Sequence, residues 1–427
     1  MSDAVGQIVQ YETLEELDPS THLPIYPQRT AADAPGRGPK MQALLESAAD
    51  LCQQALHIDP RHGHALQELG WVYAQRGKGG SHGVDGLNEH DREALRYYRA
   101  AIANPANSSP CDAHHMIGVL LYKNGDTDGS ENAYIAAILA ARPEEQPISM
   151  VNVGLIHAER KSWASALQWF ERALAAYVAR EDEDASHKCE MEIAGCFEGL
   201  GNFDRALRIM WRLKRDHPRD LQVVAYHAEL NRNVGKETGS GARITAALEG
   251  YRDVLKLDPE NAGAHYNAGQ ILVQHERDAE QVMEHFEAFI SLQTEDNPLA
   301  LASAYSGMAG ALGLLGDTGE GQISALRKSL SHNPNDPGSH CNLGILLNET
   351  GADPDEVEPC FSAALRVAKV PTYSSERAIT HFHYGELLAK QDKRTEAEAQ
   401  FRAGVLLQVP ASLAECLRTR LAEHLKK

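Results

Sequence analysis

Residues Val153–Ala173 read VGLIHAERKSWASALQWFERA, and the spacing inside this stretch decides the fold. Gly154 is a small residue set among large apolar ones. Ala166, Phe170 and Ala173 follow four and three apart, which places them on one face of a second helix. A small residue lets two antiparallel helices approach closely, and a large one fills the space beside it. The stretch therefore reads as a helical hairpin.

The same register recurs along the chain. LGWVY (Leu69–Tyr73), IGVLL (Ile117–Leu121), AGQIL (Ala268–Leu272), LGILL (Leu343–Leu347) and YGELL (Tyr384–Leu388) align with VGLIH, and weaker copies centre on Ala194, Ala228 and Ala309. Seven residues after the small residue stands a turn glycine: Gly77, Gly125, Gly201, Gly235, Gly316 or Gly351. Second helices repeat the small and large positions as Ala206, Met210, Leu213; Ala247, Tyr251, Val254; and Ala397, Phe401, Gly404. Several copies close on a proline, at Pro60, Pro143, Pro218, Pro259, Pro334 and Pro410. One such hairpin cannot bury its own apolar face, so its neighbours must stack upon it.

This pattern resembles the tetratricopeptide repeat family in its small residue, turn glycine, second-helix Ala with an aromatic, and closing Pro. The resemblance covers about residues 41–410, roughly nine copies with a half-repeat (MQALLESAADLCQQALHIDP) in front. The fold class expected is all-α, a solenoid of helix-turn-helix repeats, and the resemblance implies that it is right-handed. Residues 1–40 hold five prolines and are expected to form an extended arm. Residues 411–427 are expected to form a capping helix with Leu413, Leu417 and Leu421 on one stripe. Insertions are expected at Gly77–His90 and Gly235–Gly241, between the helices of the first and fifth repeats.

Composition narrows the function. The chain has 427 residues and a net charge of −19, an acidic surface that repels phosphate backbones. Nucleic acid is not expected as a partner, and a basic or neutral protein or peptide is. The seven cysteines are scattered and contain no C-x-x-C, which points to a reducing compartment and a cytoplasmic location. Leu299–Gly316 runs eighteen residues without a charge, yet it is rich in Ala, Gly and Ser and lies in repeat register, so it reads as a repeat helix and not a membrane span.

The 20 histidines show no metal-ligand spacing on a helix face. His114, His265, His340 and His381 share the fourth repeat position and read as planar fillers. The phosphate-loop and calcium-loop patterns fail at Gly235 and at Asp126–Gly129. No nucleophile with a base stands out. No cofactor, metal or catalytic residue is expected, and an enzyme with a histidine site is the least favoured reading.

What remains is surface. The resemblance implies that the first helix of each repeat lines a concave groove. Projecting its register gives Trp71, His115, Asn152, Glu192, Tyr226, Glu229, Tyr266, Asn267, Gln270, Asn342, Ile345, Phe382, His383 and Glu386. Asn152, Asn267 and Asn342 share the sixth position, where some relatives hold a peptide main chain. Lys188 stands alone among acids, so the paired Lys and Asn of the relatives' carboxylate clamp is missing. Gly307, Gly310 and Gly313 fall at groove positions and together cost roughly 3 kcal/mol of helix propensity. They are expected either to permit a tight helix crossing or to leave a bare strip of groove floor. The reading is a non-enzymatic scaffold that binds an extended peptide or partner protein; the alternative is a permanent subunit of a larger assembly.

Overall fold

A computed structural model describes residues 38–77, 87–104, 107, 109–141, 146–276, 278–293, 297–368, 374–407, 409 and 411–425. Among these, every long element is an α-helix and no strand occurs. The contacts divide the chain into two compact units, Met1–Leu230 and Asn231–Lys427.

The first unit holds α1 (Gly38–Ile58), α2 (Gly63–Arg76), α3 (Glu89–Ile102), α4 (Pro110–Lys123), α5 (Thr127–Ala140), α6 (Pro147–Glu159), α7 (Trp163–Ala179), α8 (Glu183–Gly199) and α9 (Phe203–Asp216). The helix α10 (Leu221–Thr238) straddles the division. The second unit holds α11 (Gly241–Leu257), α12 (Ala262–Ile271), α13 (Ala279–Leu292), α14 (Pro298–Leu314), α15 (Glu320–His332), α16 (Pro337–Glu349), α17 (Pro354–Val367), α18 (Ser374–Lys390), α19 (Arg394–Val405) and α20 (Ala411–Leu425). A π-turn, Leu272–Glu276, prolongs α12.

The hairpins hold together through the small residue. A Cβ placed on Gly118 or Gly154 would lie 2.6 or 2.7 Å from the ring of Tyr134 or Phe170. In the second unit Gly269, Gly344 and Gly385 meet Phe286, Phe361 and Phe401 at 2.7, 2.8 and 2.7 Å. Each ring is buried against backbone, a fit that a methyl group would break. Where alanine holds the register, as at Ala194 and Ala309, both it and the facing Met210 or Ala325 are buried.

The turns follow the same register. Gly125, Gly201, Gly316 and Gly351 have φ of 81°, 72°, 86° and 79°, the left-handed region that glycine enters freely. Lys161 and Asp392 stand at the same repeat position and adopt φ of 56° and 61° without being glycine. Two expected turn glycines differ. Gly77 ends α2 in the right-handed region. Gly235 lies inside α10, where the side chain of Ile244 would crowd a Cβ at 2.7 Å; the turn falls instead at Gly239, with φ 68°. The fifth-repeat insertion is therefore mostly helix.

The first-repeat insertion is closed by a polar lock. Residues 78–86 lie outside the described residues, but their flanks are tied together. Asn88 Nδ2 donates to Gly77 O at 3.0 Å, and Asp91 N donates to Asn88 Oδ1 at 2.8 Å. Asp91 is fully buried, and Lys123 Nζ lies 3.3 Å from both of its oxygens and 3.0 Å from Gly77 O.

The expected arm lies outside the described residues except 38–40, which already belong to α1; no proline follows Pro39 to interrupt that helix. The Leu299–Gly316 stretch forms most of α14. Among the described residues no helix is long and apolar enough to cross a membrane. At the end of the chain Leu417 is fully buried, and Leu421 packs on Leu388, Ala397 and Phe401. Leu413's side chain lies outside the described residues.

Candidate functional site: the first-helix faces

Within the second unit the first helices of adjoining hairpins touch, α12 with α14 and α16 with α18, and in the first unit α2 touches α4. These contacts bring the projected positions of one hairpin beside those of the next. Gln270 on α12 donates through Nε2 to Ser303 Oγ on α14 at 2.8 Å. Ser303 occupies the second repeat position, a groove position in the family register; the reading of the sequence passed over it.

The expected residues fall into three environments. Tyr266 turns its ring into the hairpin, 5.0 Å from Phe289 and 6.4 Å from Phe286 between centroids. Asn267 and Ile345 are half-buried, and Ile345 packs on the core around Phe361. Asn342 is exposed. His383 Nδ1 lies 3.6 Å from Glu386 Oε2, and burial lowers the His383 pKa below its ordinary value while the carboxylate opposes that shift. The imidazole and carboxylate thus share one half-covered spot on α18.

The glycine strip on α14 separates into two kinds of position. At Gly307 a Cβ would lie 2.5 Å from Phe286 Cε2 and 3.2 Å from Val273 Cγ2, so this glycine serves packing. At Gly310 a Cβ would meet nothing within 4 Å, and the residue is exposed. Gly313 is also exposed, with only the flexible end of Gln322 nearby at 2.8 Å. Gly316 belongs to the turn.

In the first unit the corresponding face is more enclosed. Asn152 is only 3% exposed, and its Nδ2 has no acceptor among the described residues. Asn152, Asn267 and Asn342 therefore share a register position without sharing an environment. Tyr226 donates to Glu198 Oε2 at 3.4 Å. Burial raises the pKa of Glu192, and the neighbouring acids Glu198 and Glu192 raise that of Tyr226 after burial itself. His115 lies 2.9 Å from Ser149 Oγ, Ser149 donates to Gln146 Oε1 at 3.0 Å, and Gln146 donates to Asp112 at 3.2 Å. Burial drives the His115 pKa down to about 4, so this ring is neutral at pH 7.

The fourth-position histidines do more than fill space. His265 Nε2 donates to Pro259 O at 3.1 Å, and His340 Nε2 donates to Pro334 O at 3.0 Å. In each case the residue two after the proline caps the helix: Asn261 Oδ1 accepts from Ala264 N, and Asp336 Oδ2 accepts from Ser339 N. The six-residue spacing from closing Pro to His was present in the sequence as a signal for this clasp. Among the described residues no group of three or more His, Cys, Asp or Glu is arranged to hold a metal ion.

The sequence profile of the tetratricopeptide repeat family matches residues 115–180 and 241–297. No curated protein matches the chain. Among solved structures it is similar to a tetratricopeptide repeat protein from Parabacteroides merdae, at 14% identity over 67% of this chain and 100% of that one, with a TM-score of 0.43. It is also similar to the C-terminal part of a repeat protein from Cytophaga hutchinsonii, at 15% identity over 58% and 93%, TM-score 0.46. A third is YrrB, described as having an unusual peptide-binding site, at 20% identity over 49% and 97%, TM-score 0.37.

Proposed function

Taking as premise that the chain is a tetratricopeptide repeat protein, we propose that it is a non-enzymatic scaffold whose first-helix face holds an extended peptide or a partner protein. The observation that carries this reading is Gly310. Glycine there costs about 1 kcal/mol against alanine, and no neighbour requires it. An open backbone strip at a groove position is what a bound chain needs in order to approach closely. Tyr266, Asn267, Gln270 and Gly307 stand on or beside it by register, as do Asn342, Ile345, His383 and Glu386 further along the second unit. Asn152 and Tyr226 occupy the like positions in the first. Asn342, the most open of the asparagines, offers both a donor and an acceptor to a peptide main chain. The net charge of −19 favours a basic or neutral partner over an acidic one in this groove. The seven free thiols suit a cytoplasmic setting.

Gly310→Leu tests the reading. Partners captured by the intact chain from cell extract are identified by mass spectrometry, and binding of the main one is measured for both proteins. Open space around Gly310 means that leucine should leave the melting midpoint unchanged or slightly raised while binding falls at least about tenfold. Equal binding by the two proteins would remove Gly310 from the site.

A further inference from the structure

The outer side of α9 departs from the rest of this acidic chain. The helix, FDRALRIMWRLKRD, carries Arg205, Arg208, Arg212, Lys214 and Arg215 against Asp204 and Asp216. Its inner face, Ala206, Leu207, Met210 and Leu213, is buried. At about 100° per residue, Arg208, Trp211, Arg212 and Arg215 fall within an arc of roughly 100° on the opposite face, and all four are exposed. Arg219, just beyond the helix, is exposed as well.

Trp211 stands at one edge of this arc, between Arg208 and Arg215 along the helix, and is 61% exposed. The other tryptophans, Trp71, Trp163 and Trp169, are each partly covered. Leaving an indole in water forgoes one of the largest apolar burials that a side chain can make. Nearby guanidinium groups do not cover it: the Arg215 Cζ lies 5.5 Å from the ring centroid, and the ring remains open to solvent. Some of the cations are already matched, Arg212 by Glu190 at 2.7 Å and Arg215 by Asp216 at 2.8 Å. Arg208 and Arg219 have no ion pair among the described residues. A solvated amphipathic helix needs neither an exposed tryptophan nor unmatched arginines in a chain that carries a surplus of acid.

Trp and Arg are the side chains most enriched where protein interfaces are tightest. Guanidinium groups bind carboxylates through two parallel hydrogen bonds, and an exposed indole takes an apolar side chain between them. The same face could in principle attract nucleic acid, but the charge of −19 on the whole chain repels a phosphate backbone far more than it repels a short acidic segment. We propose that the outer face of α9 is a docking site for an acidic segment of a partner protein, which sets an apolar residue over Trp211 and carboxylates against Arg208, Arg212 and Arg215. This surface lies on a second helix of the first unit and is separate from the groove proposed above.

The probe is a fluorescein-labelled peptide of glutamates with interspersed leucines, read by anisotropy with the full chain, while tryptophan emission is followed in parallel in the full chain and in its W211A variant. The expected result is salt-sensitive binding with a shift in the tryptophan emission. The variant R208Q/W211A/R215Q should bind at least about tenfold more weakly, with its melting midpoint unchanged because all three positions are exposed. Gly310→Leu should leave this binding intact, so a failure of the groove reading does not touch it. Three results would each overturn the proposal: no binding of the peptide, equal binding by the triple variant, or tighter binding of single-stranded DNA or of the same peptide with glutamine in place of glutamate.

Discussion

A single methyl group separates two kinds of glycine in this chain. Gly154 touches the Phe170 ring, whereas Gly310 faces open space. Alanine removes the helix penalty at both, but only Gly154 meets a rigid obstacle. Gly310→Ala should therefore raise stability by about 1 kcal/mol, and Gly154→Ala should lower it by about 1–3 kcal/mol. Opposite shifts in the urea midpoint would confirm this; shifts of one sign would show that the ring contact yields. His115 supplies a pH dependence. Its pKa is about 6.5 in the open chain and about 4 when buried, so below pH 6.5 the unfolded state binds the proton that the folded state refuses. That contribution to stability is complete above pH 6.5 and is lost as the pH falls towards 4, by up to about 3 kcal/mol. Burial also lowers His114, His285, His381 and His383, so His115→Gln should flatten the midpoint curve between pH 6.5 and 4 without abolishing its slope. An unchanged slope in that variant would mean that the ring is hydrated in solution. Both effects attach to residues whose repeat positions the sequence displayed, although their signs depend on what packs against them.

At the level of elements, caps and locks set where helices begin and end. The helices α5, α8, α12, α13, α14 and α16 each start on an Asp or Asn whose side chain accepts a backbone N–H three residues on. Proline and glycine were the conspicuous punctuation in the sequence, and these caps, placed between them, sharpen the same boundaries. The Asp91–Lys123 lock was not legible, because it joins α3 to α4 across 32 residues and depends on Asn88 and Gly77 closing the insertion. Burying a carboxylate this completely is costly unless a cation and hydrogen-bond donors surround it. Lys123→Met should cost about 3–5 kcal/mol, and pairing it with Asp91→Asn should recover most of that loss. If the double variant melts as low as the single one, the lysine stem acts through packing and not through charge.

For the molecule as a whole, stacked hairpins leave an apolar face at each end of the array. The helix α20 covers one such face, with Leu417 fully buried and its Cδ2 3.3 Å from the Cβ position of Gly404. Removing 411–427 should uncover Leu388 and Phe401, lower the thermal midpoint and cause aggregation that light scattering detects. A shortened chain as soluble and as heat-stable as the parent would mean that α20 is not a cap. The sequence by itself determined the helix pairs, their register and the turns at Gly125, Gly201, Gly316 and Gly351, because each is set by residues within one repeat: a small residue, in most repeats a ring some sixteen positions later, a left-handed turn and a closing proline. It did not reveal that Lys161 and Asp392 take the left-handed turn without glycine; there Ser162 N donates to His157 O and Lys393 N to Leu388 O, closing each helix as the glycine turns do. Only the tertiary structure decided which of the projected first-helix positions are open. Asn152 and Asn342 share one register position, yet the first is enclosed and the second is in solvent; Gly307 is filled by Phe286, and Gly310 three residues later is bare. The reason is physical: a side chain's own periodicity sets the direction in which it points, whereas its exposure depends on the volume that adjoining helices bring against it.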